Sequence, residues 1–224
     1  MKHVLDNPIY NALVTANARF ANGNDRAVYY TTDVAPFAGL KENTAEDFAE
    51  LDQICPAGSV RVIFTPEEVV IPVSWKLMRE MDLLQMVYEG ERLTTIGEGL
   101  VDLEEQHIPA MIALTQLTNP GPFLQRTIDF GNYTGIFADG ELVAMAGQRQ
   151  QPSPYVEVSA VCTHPNHLGK GYASILLREQ VRRIMAVAGI PFLHVLAGNQ
   201  GAIKVYERLG FKTRRAMKGY VLQK

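Results

Sequence analysis

Apolar and polar residues alternate along this chain with two different periods, and the changes of period mark the predicted helices and strands. In the first part, a helical period covers residues 8–21 and 45–54, and the second of these helices follows Thr44, a residue suited to cap it. Runs rich in β-branched and aromatic residues predict strands around these helices. The predicted strands are 27–31, 59–64 and 83–88.

The pattern is more regular in the second part of the chain. Two apolar runs flank Asp139 and Gly140, and this pair predicts a tight hairpin because both residues tolerate positive φ. A helix that begins between Asp102 and Glu105 would bury Ile108, Met111, Ile112 and Leu117. The other predicted strands are 93–100, 133–137, 142–146, 155–163, 192–197 and 218–222, and the other predicted helices are 171–188 and 200–209.

This order of elements predicts an α/β (α+β) fold with a mixed, mostly antiparallel central sheet and flanking helices. The run Glu89–Arg92 interrupts an apolar stretch and suggests a domain boundary. Residues 1–92 are then expected to form a smaller N-terminal α/β half, and residues 93–224 the second domain.

Composition excludes several classes of function. A net charge of −3 gives no general attraction to nucleic acid or an anionic membrane, and no apolar run approaches the roughly 20 residues that span a bilayer. Cys55 and Cys162 lack the spacing of a metal site, and the expectation is two reduced thiols, with a disulfide as the alternative. We expect a soluble, cytoplasmic protein without a metal.

A glycine-spaced loop connects the predicted strand 155–163 to the following helix. It includes Leu168, Gly169, Lys170, Gly171, Tyr172 and Ala173. Glycine lets the backbone approach an anion closely, and the start of a helix presents unpaired N–H groups and a positive dipole end. The loop therefore predicts a phosphate or pyrophosphate site. The spacing fits neither a Walker loop nor a dinucleotide fingerprint, and a glycine-rich helix start without a ligand is the alternative.

Two motifs in order make the prediction more specific. The first is the His164-Pro165 turn with Leu168-x-x-Gly171-x-Ala173, and the second is Asn199-x-x-Ala202-x-x-x-Tyr206 followed by Gly210-Phe211. Together they resemble the GNAT superfamily of N-acetyltransferases over residues 93–224. The sequence of Val161–Ala173 is most similar to the glycine-N-acyltransferase-like branch. The first 92 residues would correspond to a degenerate half-domain of the same kind.

The resemblance implies acetyl-CoA, or another acyl-CoA, as the co-substrate. Strand residues near Val161 and Thr163 would offer backbone N–H groups to the CoA arm and the acyl carbonyl, and the loop would bind the pyrophosphate. Leu168 departs from the usual Gln or Arg, which puts a side-chain contact there in doubt. The implied binding residues are Val161, Cys162, Thr163, Leu168, Gly169, Lys170, Gly171, Tyr172, Ala173, Asn199 and Ala202.

Tyr206 and Glu157 are the candidate catalytic residues. The resemblance implies that Tyr206 protonates the departing thiolate as a general acid. Strict alternation would place Glu157 on one strand face with Ser159, Val161 and Thr163, where it could act as the base that deprotonates the amine, and Cys162 on the opposite face. Alternatively, Glu157 would be a solvated strand residue, or it would pair with an arginine such as Arg149 on the preceding strand. His164 and His167 are weaker candidates for the base.

The acceptor is expected to be the amine of a small molecule, bound by residues 120–126 and the N-terminal half. Arg126 could pair with a carboxylate on such an acceptor. Neither a nucleic acid nor a membrane is a predicted partner, and a homodimer is compatible with the sequence. Two other functions stay open: a non-catalytic protein that binds or senses acyl-CoA, and a protein that binds a different phosphorylated ligand.

Overall fold

Eight strands form one central sheet that contains residues from both parts of the chain. The computed structural model describes residues 3–94 and 99–224. The sheet has the order β4-β11-β5-β10-β9-β8-β7-β6. Its strands are β4 (Val60–Thr65), β5 (Lys76–Tyr88), β6 (Leu100–Asp102), β7 (Thr134–Ala138), β8 (Glu141–Gln148), β9 (Tyr155–Thr163), β10 (Ile190–Leu196) and β11 (Phe211–Gln223).

β9 and β10 pair in parallel, whereas the other neighbouring strands of this sheet pair antiparallel. A smaller antiparallel sheet precedes it, with β1 (Ala21–Gly23), β2 (Ala27–Tyr30) and β3 (Ala38–Leu40). The predicted α/β fold with a mixed, mostly antiparallel sheet is confirmed. The predicted division at residue 92 stays a prediction, although β4 and β5 belong to the same sheet as the strands that follow it.

The described part of the chain has five α-helices, which pack against the sheets: α1 (Pro8–Leu13), α2 (Ala45–Ile54), α3 (Ile108–Thr118), α4 (Tyr172–Ala186) and α5 (Gln200–Leu209). α3 buries Met111 against Met145 and Cys162 on one face. On the opposite face, α4 buries Leu177 against Val158. α4 follows β9 in the chain after a short turn and loop, and β10 is parallel to β9. The N-terminus of α4 therefore lies at the end of the sheet where β9 and β10 end.

Local sequence signals place several elements correctly. The Thr44 hydroxyl accepts a hydrogen bond from the Asp47 N–H and caps α2 at the predicted residue. Asp139 and Gly140 have φ values of 52° and 83°, as a tight hairpin between β7 and β8 requires. In both cases the residues involved lie within three positions of one another, so the local pattern determines the local structure.

Other boundaries depend on distant partners. The predicted helix over 8–21 ends at Leu13, and the chain then turns into β1. β5 begins seven residues before the predicted strand 83–88, because Lys76–Asp82 pair with β11, which is itself longer than the predicted strand 218–222. The predicted strand over 93–100 lies partly outside the described residues, and the strand there begins at Leu100.

Candidate functional site

The loop before α4 presents a row of free backbone donors. Among the described residues, the five consecutive N–H groups of Gly169–Ala173 have no hydrogen-bond acceptor. Gly169 and Gly171 have φ values of 78° and 80°, a conformation that side chains other than glycine rarely adopt. A Cβ added at either glycine would meet no atom within 4 Å, so the space above the loop is open. The loop thus has the form of an anion cradle at the start of a 15-residue helix.

The side chains of this loop contribute less than its backbone. Leu168 is 66% exposed. The Lys170 ammonium lies 3.2 Å from Nδ1 of His167 and can add positive charge beside the loop. The Nδ1 atom of His164 accepts a hydrogen bond from the Asn166 N–H, so His164 caps the short 3₁₀ turn Pro165–His167. His164 therefore has a local structural role.

β9 and β10 separate after their first residues. Their paired positions are Ile190 with Tyr155, Pro191 with Val156, and Phe192 with Glu157, and no later pair continues this register in the described strands. From residue 158 onward, the edge of β9 that faces β10 has no strand partner. The divergence of the two strands agrees with the resemblance, and the binding of a ligand by the backbone exposed there stays a prediction.

A β-bulge in β9 changes which side chains share a face. Gly147 on β8 lies opposite Ser159, whereas Met145 lies opposite Cys162, so β9 has one additional residue in this interval. Ala160, with a φ of 53°, lies at the bulge. The prediction of strict alternation was therefore wrong: Cys162 lies on the same face as Glu157.

Cys162 nevertheless belongs to the core, as the sequence suggested. It is buried against α3, and burial raises the pKa of its thiol to about 11. A thiol with this pKa stays protonated at neutral pH and is a weak nucleophile. Cys55 is also a free, buried cysteine, and the two do not form a disulfide.

A cavity of about 630 Å³ lies where the two strands diverge. Its lining includes the predicted residues Val161, Cys162 and Thr163 from β9, together with Asn199, Ala202 and Tyr206. The residues Leu168–Ala173 do not line it, but the turn Pro165–His167 connects them directly to the end of β9. The tertiary structure thus brings both predicted motifs to one end of the sheet.

Tyr206 faces this cavity from α5. Its ring packs against Phe211, and its hydroxyl has no hydrogen-bond partner within the described part of the chain. Burial raises the pKa of Tyr206 to about 12, so the hydroxyl keeps its proton at neutral pH. Such a group can donate a proton to a ligand in the cavity.

Asn199 caps α5 and lines the same cavity. Its side-chain oxygen accepts a hydrogen bond from the Ala202 N–H at 3.1 Å, which confirms the predicted cap. Its amide nitrogen has no hydrogen-bond partner among the described residues and is available to a ligand. The two predicted roles, helix cap and ligand contact, are therefore compatible.

Glu157 lies beneath the cavity, where its side chain is 1% exposed. Arg149 donates to both of its carboxylate oxygens, at 2.9 and 2.8 Å, and the Gln150 N–H and the His194 ring donate as well. Burial alone would raise the pKa of Glu157, but Arg149 and His194 outweigh it and lower this pKa to about 2. The contacts favour the predicted alternative, a pair with Arg149, over the predicted role as the base.

His194 connects Glu157 to the N-terminal part of the chain. Its Nδ1–H donates to Glu157 at 2.7 Å, and its Nε2 accepts from the Gln85 amide at 3.0 Å. Arg214 donates to the oxygen of that amide, which fixes the orientation of Gln85 and hence which ring nitrogen of His194 accepts from it. The sequence did not single out His194, because a histidine in an apolar strand has no distinctive local pattern.

Two arginines also line the cavity, Arg79 from β5 and Arg149 from the end of β8. From the sequence, Arg149 was predicted only as a possible partner of Glu157, and no pattern indicated that Arg79 would line a cavity. Arg126, the predicted carboxylate-binding residue, instead pairs with Glu105 and Asp129 and does not line the cavity. The guanidinium is thus occupied by Asp129, three residues further on, and by the more distant Glu105, and these contacts do not support the predicted role.

Over residues 3–94 and 99–224, no group of three or more His, Cys, Asp or Glu side chains could hold a metal ion. In the same ranges, no helix is both long and apolar enough to cross a membrane.

Comparisons with known proteins relate the chain to one family. Residues 133–219 match the family of FR47-like proteins. The crystal structure of a GNAT-family protein from Novosphingobium aromaticivorans DSM 12444 is 34% identical in sequence to this chain, with a TM-score of 0.93. That alignment covers 100% of this chain and 99% of the other. No curated protein sequence matches the chain.

More distant structures share the fold alone. A GCN5-related N-acetyltransferase from Kribbella flavida is 18% identical, with a TM-score of 0.62 over 96% of this chain and 93% of that protein. A GCN5-related N-acetyltransferase-like protein from Streptococcus suis 89/1591 is 14% identical, with a TM-score of 0.55 over 90% and 82% of the two chains. The same sheet and helices therefore occur in proteins with little sequence in common.

Proposed function

Because the chain belongs to the GNAT family of acetyltransferases, we propose that it transfers an acetyl group from acetyl-CoA to the amine of a small molecule. The observation that supports this most is the arrangement at one end of the sheet. Within the described ranges, five N–H groups at and just before the start of α4 have no acceptor, the neighbouring strands diverge, and a cavity lined by a tyrosine whose hydroxyl has no partner lies between these strands. That the chain belongs to the glycine-N-acyltransferase-like branch of the family is part of this proposal.

The N–H groups of Gly169–Ala173 would bind the pyrophosphate of the co-substrate. Their open surroundings and the dipole of α4 suit a doubly charged anion, and Lys170 adds charge at the edge. Leu168 would contribute through its backbone, since its side chain is largely exposed. The departure from the usual Gln or Arg at this position therefore leaves the proposed cradle intact.

The thioester end of the co-substrate would lie between β9 and β10. Free N–H groups on the diverging part of β9 can donate to the acyl carbonyl oxygen and stabilise the negative charge that develops there. Val161 and Thr163 are the residues whose backbone we assign to this role. The neighbouring Asn199 amide can hold the arm of the co-substrate, because one of its two polar atoms is free.

Tyr206 would act as the general acid. When the amine nitrogen attacks the acyl carbon and the carbon–sulfur bond breaks, the departing thiolate needs a proton. The Tyr206 hydroxyl, with a pKa of about 12 and no hydrogen-bond partner among the described residues, keeps that proton until the thiolate is formed. The proton that the nitrogen loses as the amide forms then returns to the Tyr206 phenolate through water. The product of this direct transfer is an N-acetylated amine and free CoA.

Glu157 would position other groups instead of accepting a proton from the amine. A carboxylate with a pKa of about 2 that already accepts four hydrogen bonds is a poor base. It holds the Arg149 and His194 side chains, both of which line the cavity. We expect the amine to arrive neutral or to lose its proton to water.

The test is the release of free thiol from acetyl-CoA in the presence of a panel of amines. Tyr206→Phe should lower kcat about 100-fold, the lower end of the range for general acids, and leave the Kd for acetyl-CoA unchanged. The matched control is Tyr29→Phe, whose hydroxyl lies on the small N-terminal sheet. A Tyr206→Phe protein with full kcat would contradict the acid role. Binding of acetyl-CoA without turnover of any amine would favour a sensing protein.

A further inference from the structure

The charge of the cavity lining is opposite to the negative charge that would suit a simple cationic amine. Its lining contains two arginines, Arg79 and Arg149, and no aspartate or glutamate among the described residues. We propose that the acceptor amine also bears a carboxylate, which these two arginines bind, and that its remainder is apolar. This inference rests on the proposed acetyltransferase function and names the class of acceptor.

Arg149 is held in a fixed orientation with one donor nitrogen left over. Its Nε and Nη2 bind Glu157, and its guanidinium lies 4.6 Å from the centre of the Phe37 ring. Nη1 has no hydrogen-bond partner among the described residues, and the side chain, 11% exposed, contributes to the cavity wall. A rigid guanidinium with a free N–H edge is suited to bind a carboxylate oxygen.

Arg79 supplies the net positive charge of the cavity, because the charge of Arg149 is balanced by its ion pair with Glu157. Glu157 neutralises Arg149, whereas Arg79 has no ion pair or hydrogen bond within residues 3–94 and 99–224. Arg79 lies on β5 opposite Val221 and lines the same cavity. The site therefore has one uncompensated positive charge, which attracts an anion and repels a polyamine.

An apolar wall accompanies the two arginines. It consists of side chains from β4 and β5, namely Val62, Phe64, Met81 and Leu83, together with Phe37. These residues cannot hydrogen-bond to a polar side chain, so a hydrophobic substituent on the acceptor would pack against them. Amino acids with aliphatic or aromatic side chains combine the amine, the carboxylate and the apolar group in one small molecule.

The first experiment compares acceptors that differ at the carboxylate. Leucine and phenylalanine are each tested beside the corresponding amide and the amine that lacks the carboxylate, with acetyl-CoA and a thiol-release assay. We expect kcat/KM for the carboxylates to exceed that for the neutral analogues by about 10-fold or more, because the analogues leave the arginines unpaired.

The second experiment changes the uncompensated arginine. Arg79→Gln should raise the KM for the amino acid about 10-fold, leave the KM for acetyl-CoA unchanged and reduce the preference for the carboxylate. Arg79→Lys should retain part of this preference, because it keeps the positive charge. The control is Arg208→Gln. Arg208 is an exposed residue of α5 whose one hydrogen bond among the described residues goes to the Lys204 carbonyl, and it does not line the cavity. Melting temperatures of all variants check that they are folded.

The outcomes separate this inference from the proposed function. Turnover of the neutral amines at the same or a higher kcat/KM than the carboxylates would overturn the inference and leave an acetyltransferase. An effect of Arg79→Gln on the KM for acetyl-CoA alone would also overturn it, since Arg79 would then bind the co-substrate. Binding of acetyl-CoA with no turnover of any amine would overturn both.

Discussion

Glu157 is a residue whose surroundings decide its role. The carboxylate type and its strand position are compatible with a base, but the contacts of Arg149 and His194 fix it as a buried anion. Removing one partner of such a pair is strongly destabilising, because the other charge stays buried without compensation. The contribution of Glu157 to the free energy of unfolding should therefore depend on pH.

We expect this contribution to be lost in acid. The pKa of Glu157 is lowered to about 2 in the folded protein, against about 4.3 in an unfolded chain, so the stabilisation is complete above pH 4.3 and disappears as the pH falls towards 2. The difference in unfolding free energy between the wild type and Glu157→Gln should shrink by on the order of 3 kcal/mol between pH 6 and pH 2. Urea unfolding at several pH values measures it.

Glu207→Gln is the matched control for this measurement. Glu207 is exposed on α5 and has no ion pair among the described residues. Its substitution should leave the pH dependence of the wild type unchanged. A Glu157→Gln protein that loses stability in acid as steeply as the wild type would show that this carboxylate is not the titrating group.

At the scale of elements, the loop and α4 act together as one anion site. The glycines of the loop are required by their positive φ, and the N–H groups of Gly171–Ala173 are free because they begin a helix. β9 shows the opposite case, in which a local rule fails. Its bulge at Ala160 shifts the alternation of side chains by one position. The residues around Ala160 contain no glycine or other sequence signal that would predict a bulge.

Gly171→Glu should abolish binding of acetyl-CoA. The substitution places a negative side chain in the open space above the loop, next to the expected pyrophosphate. Isothermal titration measures the loss, which should exceed about 100-fold in Kd if the charge repulsion and the blocked contacts add.

The control separates ligand repulsion from backbone strain. Gly140→Glu introduces the same side chain at a glycine with φ of 83°, also with open space around it, in the hairpin between β7 and β8. It should bind acetyl-CoA normally despite a similar strain. Normal binding by Gly171→Glu would mean that the loop is not the pyrophosphate site.

At the scale of the whole molecule, the sheet connects the two parts of the chain. β5 lies between β10 and β11, and β4 covers the other edge of β11. Without β4 and β5, two strands of residues 93–224 would lose their neighbours, and their apolar faces and backbone groups would be exposed. The N-terminal part also supplies Gln85, which binds His194, and Arg79 in the cavity.

We therefore expect a fragment of residues 93–224 not to fold when it is expressed alone. Circular dichroism and thermal unfolding should show no cooperative transition, whereas co-expression with residues 1–92 should yield a complex that copurifies. The full chain is the reference. A cooperative transition in the isolated fragment would instead support the predicted independent domain at residue 93.

The sequence by itself determined the features that depend on neighbouring residues. The cap at Thr44, the hairpin at Asp139-Gly140, the helix α5 with its cap Asn199, and the glycine loop before α4 all follow from local geometry. Motif spacing was enough to predict the fold class and the family, because the motifs occupy consecutive elements whose order is fixed along the chain.

Only the tertiary structure decided the features that depend on residues distant in sequence. The length of β5 follows from its pairing with β11, and the charge state and role of Glu157 follow from Arg149 and His194. The presence of Arg79 in the cavity depends on where β5 enters the sheet. Hydrogen bonds, burial and charge act through space, so their partners cannot be identified from periodicity along one chain.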